Sequence, residues 1–263
     1  MLLAGEVVAG ASEAVAEVRA TGRQALYLTN ASGRTRGEIG DALVGIGIPA
    51  ALDAVYSSAA VTARWLGAQS VECVWVLGTL ALGAELAAAG MRVVRDEGEA
   101  DAVVVGLDRR QAVGDEPRLL PAALAVRVAR RECMLVGCNR DLTYPGPSGV
   151  AKPGCGRVLA LVETQCGRSA DAVVGKPEPF MLEWAAADHR LAPREILVVG
   201  DSWTSDIGMA RRCGCAWAYV PAPGAGVKLP TPPDASEDPL GRVLVSVEQV
   251  PAILGRAPAA WTR

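Results

Sequence analysis

Histidine occurs once in the 263 residues, at His189, which leaves histidine-based catalytic triads and multi-histidine zinc centres without side chains to build them. Basic charge is not in excess. The 26 Lys and Arg against 29 Asp and Glu give no electrostatic pull toward a nucleic-acid backbone or an anionic membrane, so a small soluble partner is expected. No stretch approaches the roughly 18 apolar residues of a membrane helix. The start, MLLAGEVVAGASEAV, has no basic head and is broken by Glu6 and Glu13, which reads against a secretory signal and predicts a cytoplasmic protein. The seven cysteines (Cys73, Cys133, Cys138, Cys155, Cys166, Cys213 and Cys215) contain no C-x-x-C pair, so free and mostly buried thiols are expected rather than a metal site.

What is present is a globular composition, 51% hydrophobic with 29 Gly and 17 Pro, in a chain long enough for two moderate domains. Short apolar runs end in small or polar residues, the pattern of buried parallel strands feeding loops. Residues 24–28 lead to Thr29 and Asn30, 74–77 to Gly78, 102–105 to Asp108, 134–137 to Asn139 and Asp141, and 196–199 to Asp201. Helical spacing occupies residues 12–20, 35–45, 81–89 and 179–189 between them. This alternation predicts an α/β fold with a parallel sheet covered by helices and ligands at the carboxyl ends of its strands. Residues 221–239, rich in Pro, Gly and Ala, read as a surface loop, 243–245 as an edge strand, 247–254 as a terminal helical turn or two, and 255–263 as frayed.

Three segments carry candidate chemistry. In the first, an apolar strand ends in Gly200-Asp201, and Asp206 follows where the chain turns into a helix. Two carboxylates converging on one loop call for a cation between them, and hard oxygen ligands suit Mg²⁺; a helix cap plus a solvated acid is the plainer alternative. In the second, Lys176 is constrained between Gly175 and Pro177, with Pro179 placed to open a helix, so its ammonium either neutralises a phosphate or a nucleophilic carboxylate or is a surface charge. In the third, Thr29 and Asn30 present a hydroxyl and an amide before Thr35 starts a helix, an arrangement suited to phosphate oxygens or to simple capping.

Taken in order, a hydroxyl after a strand, a lysine before proline and G-D-x-x-x-S-D after another strand, these segments resemble the later motifs of the haloacid dehalogenase superfamily. The stretches around Thr29-Asn30, Asp108, Asn139-Arg140-Asp141, Gly154 and Gly175 to Pro179 are similar to its phosphoglycolate and 4-nitrophenyl phosphatase branch, over almost the whole chain. The resemblance implies a doubly wound parallel-sheet core, residues 1–56 and 172–263, with an inserted α/β cap over 57–171. It further implies a Mg²⁺-dependent hydrolase of a small phosphorylated metabolite that works through an aspartyl-phosphate. Lys176 and Thr29 would be catalytic, with Thr29, Asn30, Asn139 and Asp141 binding substrate and Asp201 and Asp206 holding the metal. A homodimer through the cap is a further implication.

The superfamily's first motif, D-x-D-G, supplies the nucleophile, and it is absent: no Asp occurs before Asp41, which lies in a helical stretch. Met1 falls about where that motif would end. Three explanations fit: a start assigned downstream of the true one, a pseudoenzyme that retains ligand binding, or a gap in the sheet filled by residues 1–8 or by a partner chain. Trp203, Thr204 and Cys138 also depart from the family pattern and bear on substrate identity.

Overall fold

The computed structural model describes residues 2–3, 6–108, 119–146, 150–221, 238 and 240–255. The chain begins β1 (Leu2–Leu3), β2 (Glu6–Val7), α1 (Ala11–Ala20), β3 (Tyr27–Thr29), α2 (Arg36–Val44), β4 (Val55–Ser57) and α3 (Ser58–Ala68). It continues β5 (Cys73–Leu77), α4 (Leu80–Ala88), β6 (Arg92–Val93), β7 (Ala102–Val105), α5 (Ala122–Ala129), β8 (Met134–Gly137), β9 (Thr143–Pro145), β10 (Ala151–Pro153) and α6 (Cys155–Cys166). The last elements are β11 (Ala172–Val173), α7 (Phe180–Asp188), β12 (Leu197–Gly200), α8 (Gly208–Arg212), β13 (Ala216–Tyr219), β14 (Gly241–Val243) and α9 (Val250–Gly255). Contacts divide the chain into two compact units. The first holds Met1–Tyr27, Ala42–Ala50 and Lys176–Arg263, and the second Leu28–Asp41 and Ala51–Gly175.

The second unit is built on a five-stranded sheet in the order β11-β8-β7-β5-β6, parallel at every pairing. Its centre follows from composition: all four residues of β7, Ala-Val-Val-Val, are fully buried, as a strand covered on both faces must be. Leu82 and Leu86 of α4, Leu124 and Val128 of α5, and Leu159 and Val162 of α6 complete the core. From β5 the chain goes first to β6 on one side and then to β7 on the other. The carboxyl ends of β5 and β7 therefore form a topological switch point, the place where open α/β sheets bind ligands.

At the edge of this unit Arg140 donates two hydrogen bonds to Glu163, at 2.8 and 3.0 Å, and Ala170 N–H donates a third at 2.8 Å. The Arg140 guanidinium, more than burial opposes it, holds the Glu163 carboxyl below its ordinary value of 4.5. A folded-state pKa below the unfolded one adds stability that is complete above the unfolded value and disappears as pH falls through the folded one. Glu163→Gln is therefore expected to remove about 1 kcal/mol at pH 7 and to flatten the fall in stability below pH 4.5. Urea unfolding from pH 7 to pH 3 checks this; parallel curves for variant and wild type would contradict it.

The first unit carries a three-stranded parallel sheet, β12-β13-β14. Behind it Ala218, Leu244 and Val250 are buried together with Val18, Leu197 and Val220 packed on them. Among the described residues β12 has a strand neighbour on one side only, and Val199 is 39% exposed although Leu-Val-Val is the composition of a doubly covered strand. The described residues among 1–8 do not supply a neighbour. β1 and β2 pair antiparallel with each other, Leu2 with Val7 and Leu3 with Glu6, as a separate two-stranded sheet.

The strand expected at 243–245 lies two residues earlier. Trp217 N–H donates to Leu240 O and Gly241 N–H to Asp238 O, which starts the pairing at Gly241, while Val245 is 84% exposed. The first expected strand is likewise Tyr27–Thr29 rather than 24–28. The loop expected at 221–239 and the frayed end at 255–263 fall almost entirely outside the described residues. All seven cysteines are free, five of them buried. Among the described residues no helix is long and apolar enough to cross a membrane.

Candidate functional site

The first unit brings Lys176, Asp201 and Asp206 to the carboxyl end of β12 and the turn after it. Gly200 ends the strand, Ser202 caps the next turn by accepting from Ser205 N–H at 3.1 Å, and residues Trp203–Ile207 form one π-helical turn. Ser202 O accepts from both Asp206 N–H (2.9 Å) and Ile207 N–H (3.2 Å), the widened spacing that π-turns contribute at functional sites. Asp206, only 8% exposed, is thereby turned inward. Its Oδ2 accepts from Ser202 N–H at 3.0 Å and its Oδ1 from Lys176 Nζ at 2.6 Å, in an ion pair with both side chains 11% exposed. Asp201 is exposed at the mouth of the same turn. Gly200 is required here, since a Cβ on it would overlap the Cβ, Cγ and Oδ2 of Asp206.

This donor set fits a small hard cation: two carboxylates on one short turn with a buried ammonium bonded to one of them. Among the described residues no group of three or more His, Cys, Asp or Glu side chains that could hold a metal occurs. A cation here would take its remaining positions from water or ligand oxygens, as Mg²⁺ commonly does.

The other sequence-predicted residues lie in the second unit, where Asn30, Asn139 and Asp141 are bonded to one another and Thr29 to its own loop. Asn30 Nδ2 donates to Asp141 Oδ2 at 3.0 Å, and Asn139 Nδ2 donates to Asn30 O at 2.7 Å. Asn139 Oδ1 accepts from Asp141 N–H at 3.0 Å, and Thr29 Oγ1 accepts from Ala31 N–H at 3.2 Å. Sequence reasoning missed three members of this knot. Ser58, fully buried, donates to Asn30 O at 2.8 Å. Ser32 Oγ accepts from Leu107 N–H at 2.9 Å, which seats the loop after β3 at the switch point beside Gly106. Gly175 packs against the knot so closely that a Cβ would stand 2.5 Å from Cys138 O and 2.7 Å from Asn30 Oδ1. The readable signals were the paired hydroxyls Ser57 and Ser58 at a strand-to-helix junction and the second hydroxyl of Thr29-Asn30-Ala31-Ser32.

Cys138 and Cys155 lie at this end of the sheet as well, and burial raises both thiols, Cys155 to about 12. They stay protonated at neutral pH and supply no thiolate nucleophile.

Residues 1–92 match the haloacid dehalogenase-like hydrolase family and residues 173–226 the HAD-hydrolase-like family. The chain belongs to the haloacid dehalogenase-like hydrolases. Within that family it is 35% identical to the chronophin of Mus musculus, over 79% of this chain and 73% of the relative. It is 31% identical to the sugar-phosphatase AraL of Bacillus subtilis, over 82% and 77%. A glycerol phosphate phosphatase of Mycobacterium tuberculosis, solved in complex with magnesium, superposes with a TM-score of 0.71 at 32% identity, covering 83% of this chain and 64% of that one. The family and its phosphatase branch account for the parallel α/β architecture.

Proposed function

We propose that this protein binds Mg²⁺ and a small phosphate ester in the manner of a metal-dependent phosphohydrolase, with residues 1–56 and 172–263 as core and 57–171 as cap. The observation that carries the reading is the Lys176–Asp206 ion pair, buried at the end of β12 beside the exposed carboxylate of Asp201. When bound, Mg²⁺ neutralises phosphoryl oxygens and polarises the phosphorus. Asp201 and Asp206 would offer it hard oxygens, and Lys176, bonded to Asp206, would share in neutralising a phosphoryl oxygen. The Thr29 hydroxyl would donate to a phosphoryl oxygen, with Asn30, Asn139 and Asp141 shaping the region that meets the rest of the substrate.

A second reading, a non-catalytic binding protein of the same fold, is favoured by one observation: no aspartate precedes Asp41, so residues 1–263 hold no D-x-D-G segment ahead of Thr29. Hydrolysis of 4-nitrophenyl phosphate separates the two. Residues 1–263 are expected to bind Mg²⁺ without turnover. A version extended at its N-terminus by an apolar strand ending in D-x-D-G is expected to gain metal-dependent activity, on the order of 10⁶-fold, which Asp201→Asn removes. An extended protein that stays inert with Mg²⁺ bound leaves only the binding reading, and calorimetry showing no Mg²⁺ binding by either version discards both.

A further inference from the structure

The turn that carries Asp201 and Asp206 is pinned unevenly. At its far end Asp206 is tied to Lys176 and to Ser202 N–H, and the buried side chains of Ile207, Met209 and Ala210 root the following helix. At its near end Asp201 and Thr204 are exposed. Between them Trp203 sends its indole back onto β13, edge-on to Trp217 with ring centroids 5.2 Å apart at 90°, and to Tyr219 with centroids 5.8 Å apart at 86°. The platform is itself fixed. Trp217 is 1% exposed and its Nε1–H donates to Asp238 Oδ2 at 3.0 Å, with Arg211 Nε 3.5 Å from the same carboxylate oxygen.

Edge-to-face contacts of this kind are directional as well as apolar, so they set the angle of a side chain and not only its burial. A π-turn has poorer intrinsic hydrogen bonding than an α-turn and depends on such outside anchors to keep its shape. We infer that Trp203 is a positioning residue for the cation: its aromatic bracket with Trp217 and Tyr219 holds the Asp201 arm at the separation from Asp206 that Mg²⁺ requires. The inference rests on the proposed Mg²⁺ site and adds the residue that sets its affinity. The Trp203 ring is turned onto β13, so Trp203 acts through the Asp201 arm. Without its ring the Asp201 arm samples a wider range of positions, and the cost of narrowing that range on binding appears as lost affinity.

The test is calorimetric titration of the 263-residue chain with MgCl₂ alone, for wild type, Trp203→Phe, Trp203→Leu and Trp203→Ala, paired with melting curves in EDTA. Trp203→Ala and Trp203→Leu are expected to raise the Mg²⁺ dissociation constant about tenfold. Trp203→Phe, which keeps a ring edge toward Trp217, is expected to recover most of the affinity. In wild type, saturation with Mg²⁺ is expected to change the tryptophan emission, and Trp203→Phe to remove that change. A role confined to stability would lower the EDTA melting temperature of all three variants and leave the dissociation constant of the folded protein where it was, which would overturn the inference. Should Trp203→Ala be unfolded at the titration temperature, Trp203→Leu decides: wild-type affinity there also overturns it. Wild type without any Mg²⁺ binding sinks the proposed metal site and this inference together, and that outcome is visible before any variant is made.

Discussion

Lys176→Met is expected to destabilise the protein by about 3 kcal/mol, because it leaves the Asp206 carboxylate buried with its countercharge gone. Both partners are 11% exposed, so water cannot replace the ammonium without the site opening. The loss belongs to the stranded charge more than to the attraction between the pair. Lys176→Met combined with Asp206→Asn is therefore expected to recover more than half of it, the sign of coupling that a double-mutant cycle isolates. Urea unfolding at pH 7 makes the measurement. A single variant within 1 kcal/mol of wild type would mean that Asp206 is satisfied without Lys176, and the central element of the site would be lost.

Gly200→Ala should cost about 2–3 kcal/mol and abolish Mg²⁺ binding, although it adds one methyl group to the end of a partly exposed strand. The new Cβ would overlap Asp206, whose two oxygens are already committed to Ser202 N–H and Lys176, so the short side chain has nowhere to swing. Gly67→Ala, inside α3, is the control. No atom lies within 4 Å of its Cβ and the backbone is helical, so a neutral to slightly stabilising effect is expected. If Gly200→Ala melts and binds Mg²⁺ as wild type does, Asp206 is free to move and the inward geometry of the turn has no functional weight.

Much of the architecture was legible because burial and period coincide in it. The Val-Val-Val of β7 and Leu-Val-Gly of β8 read as strands buried on both faces and are so. Helices α1, α2, α4 and α7 each begin and end within a residue of the stretches that apolar spacing marks. Strand ends were less legible, because pairing partners far along the chain decide them. β14 starts at Gly241 on account of Asp238 and Leu240, and neither carries a strand signature of its own.

At the site, Lys176 and Asp206 are readable as chemistry from Gly-Lys-Pro and Gly-Asp-x-x-x-Ser-Asp, whereas the bond between them, spanning 30 residues, has no signal in the sequence. The sequence marks Asn30, Asn139 and Asp141 as substrate contacts; the structure adds that Asn30 Nδ2 donates to Asp141 Oδ2 and Asn139 Nδ2 to the Asn30 main-chain oxygen, across 111 and 109 residues of sequence. Nothing local announces such a knot, since an amide offers the same donors to a ligand as to a neighbouring carbonyl. In the sequence Trp203 stands out only as a departure from the family pattern. Its meaning depended on Trp217 and Tyr219, two residues apart and so directed to one face of β13.

The interleaving of the two units along the chain bears on how the protein is made. Every residue of the second unit has left the ribosome once Gly175 is clear of the exit tunnel, so its five parallel strands can assemble while translation continues. The first unit draws on Met1–Tyr27 and Ala42–Ala50, yet its only sheet with more than two strands among the described residues is written after Lys176. Its opening segments must wait, unpartnered and apolar, for most of a synthesis lasting roughly ten seconds or more. Slow codons or a holding chaperone early in the message would therefore alter yield through the first unit, and truncated chains ending near Gly175 should accumulate as a folded second unit trailing an unfolded head.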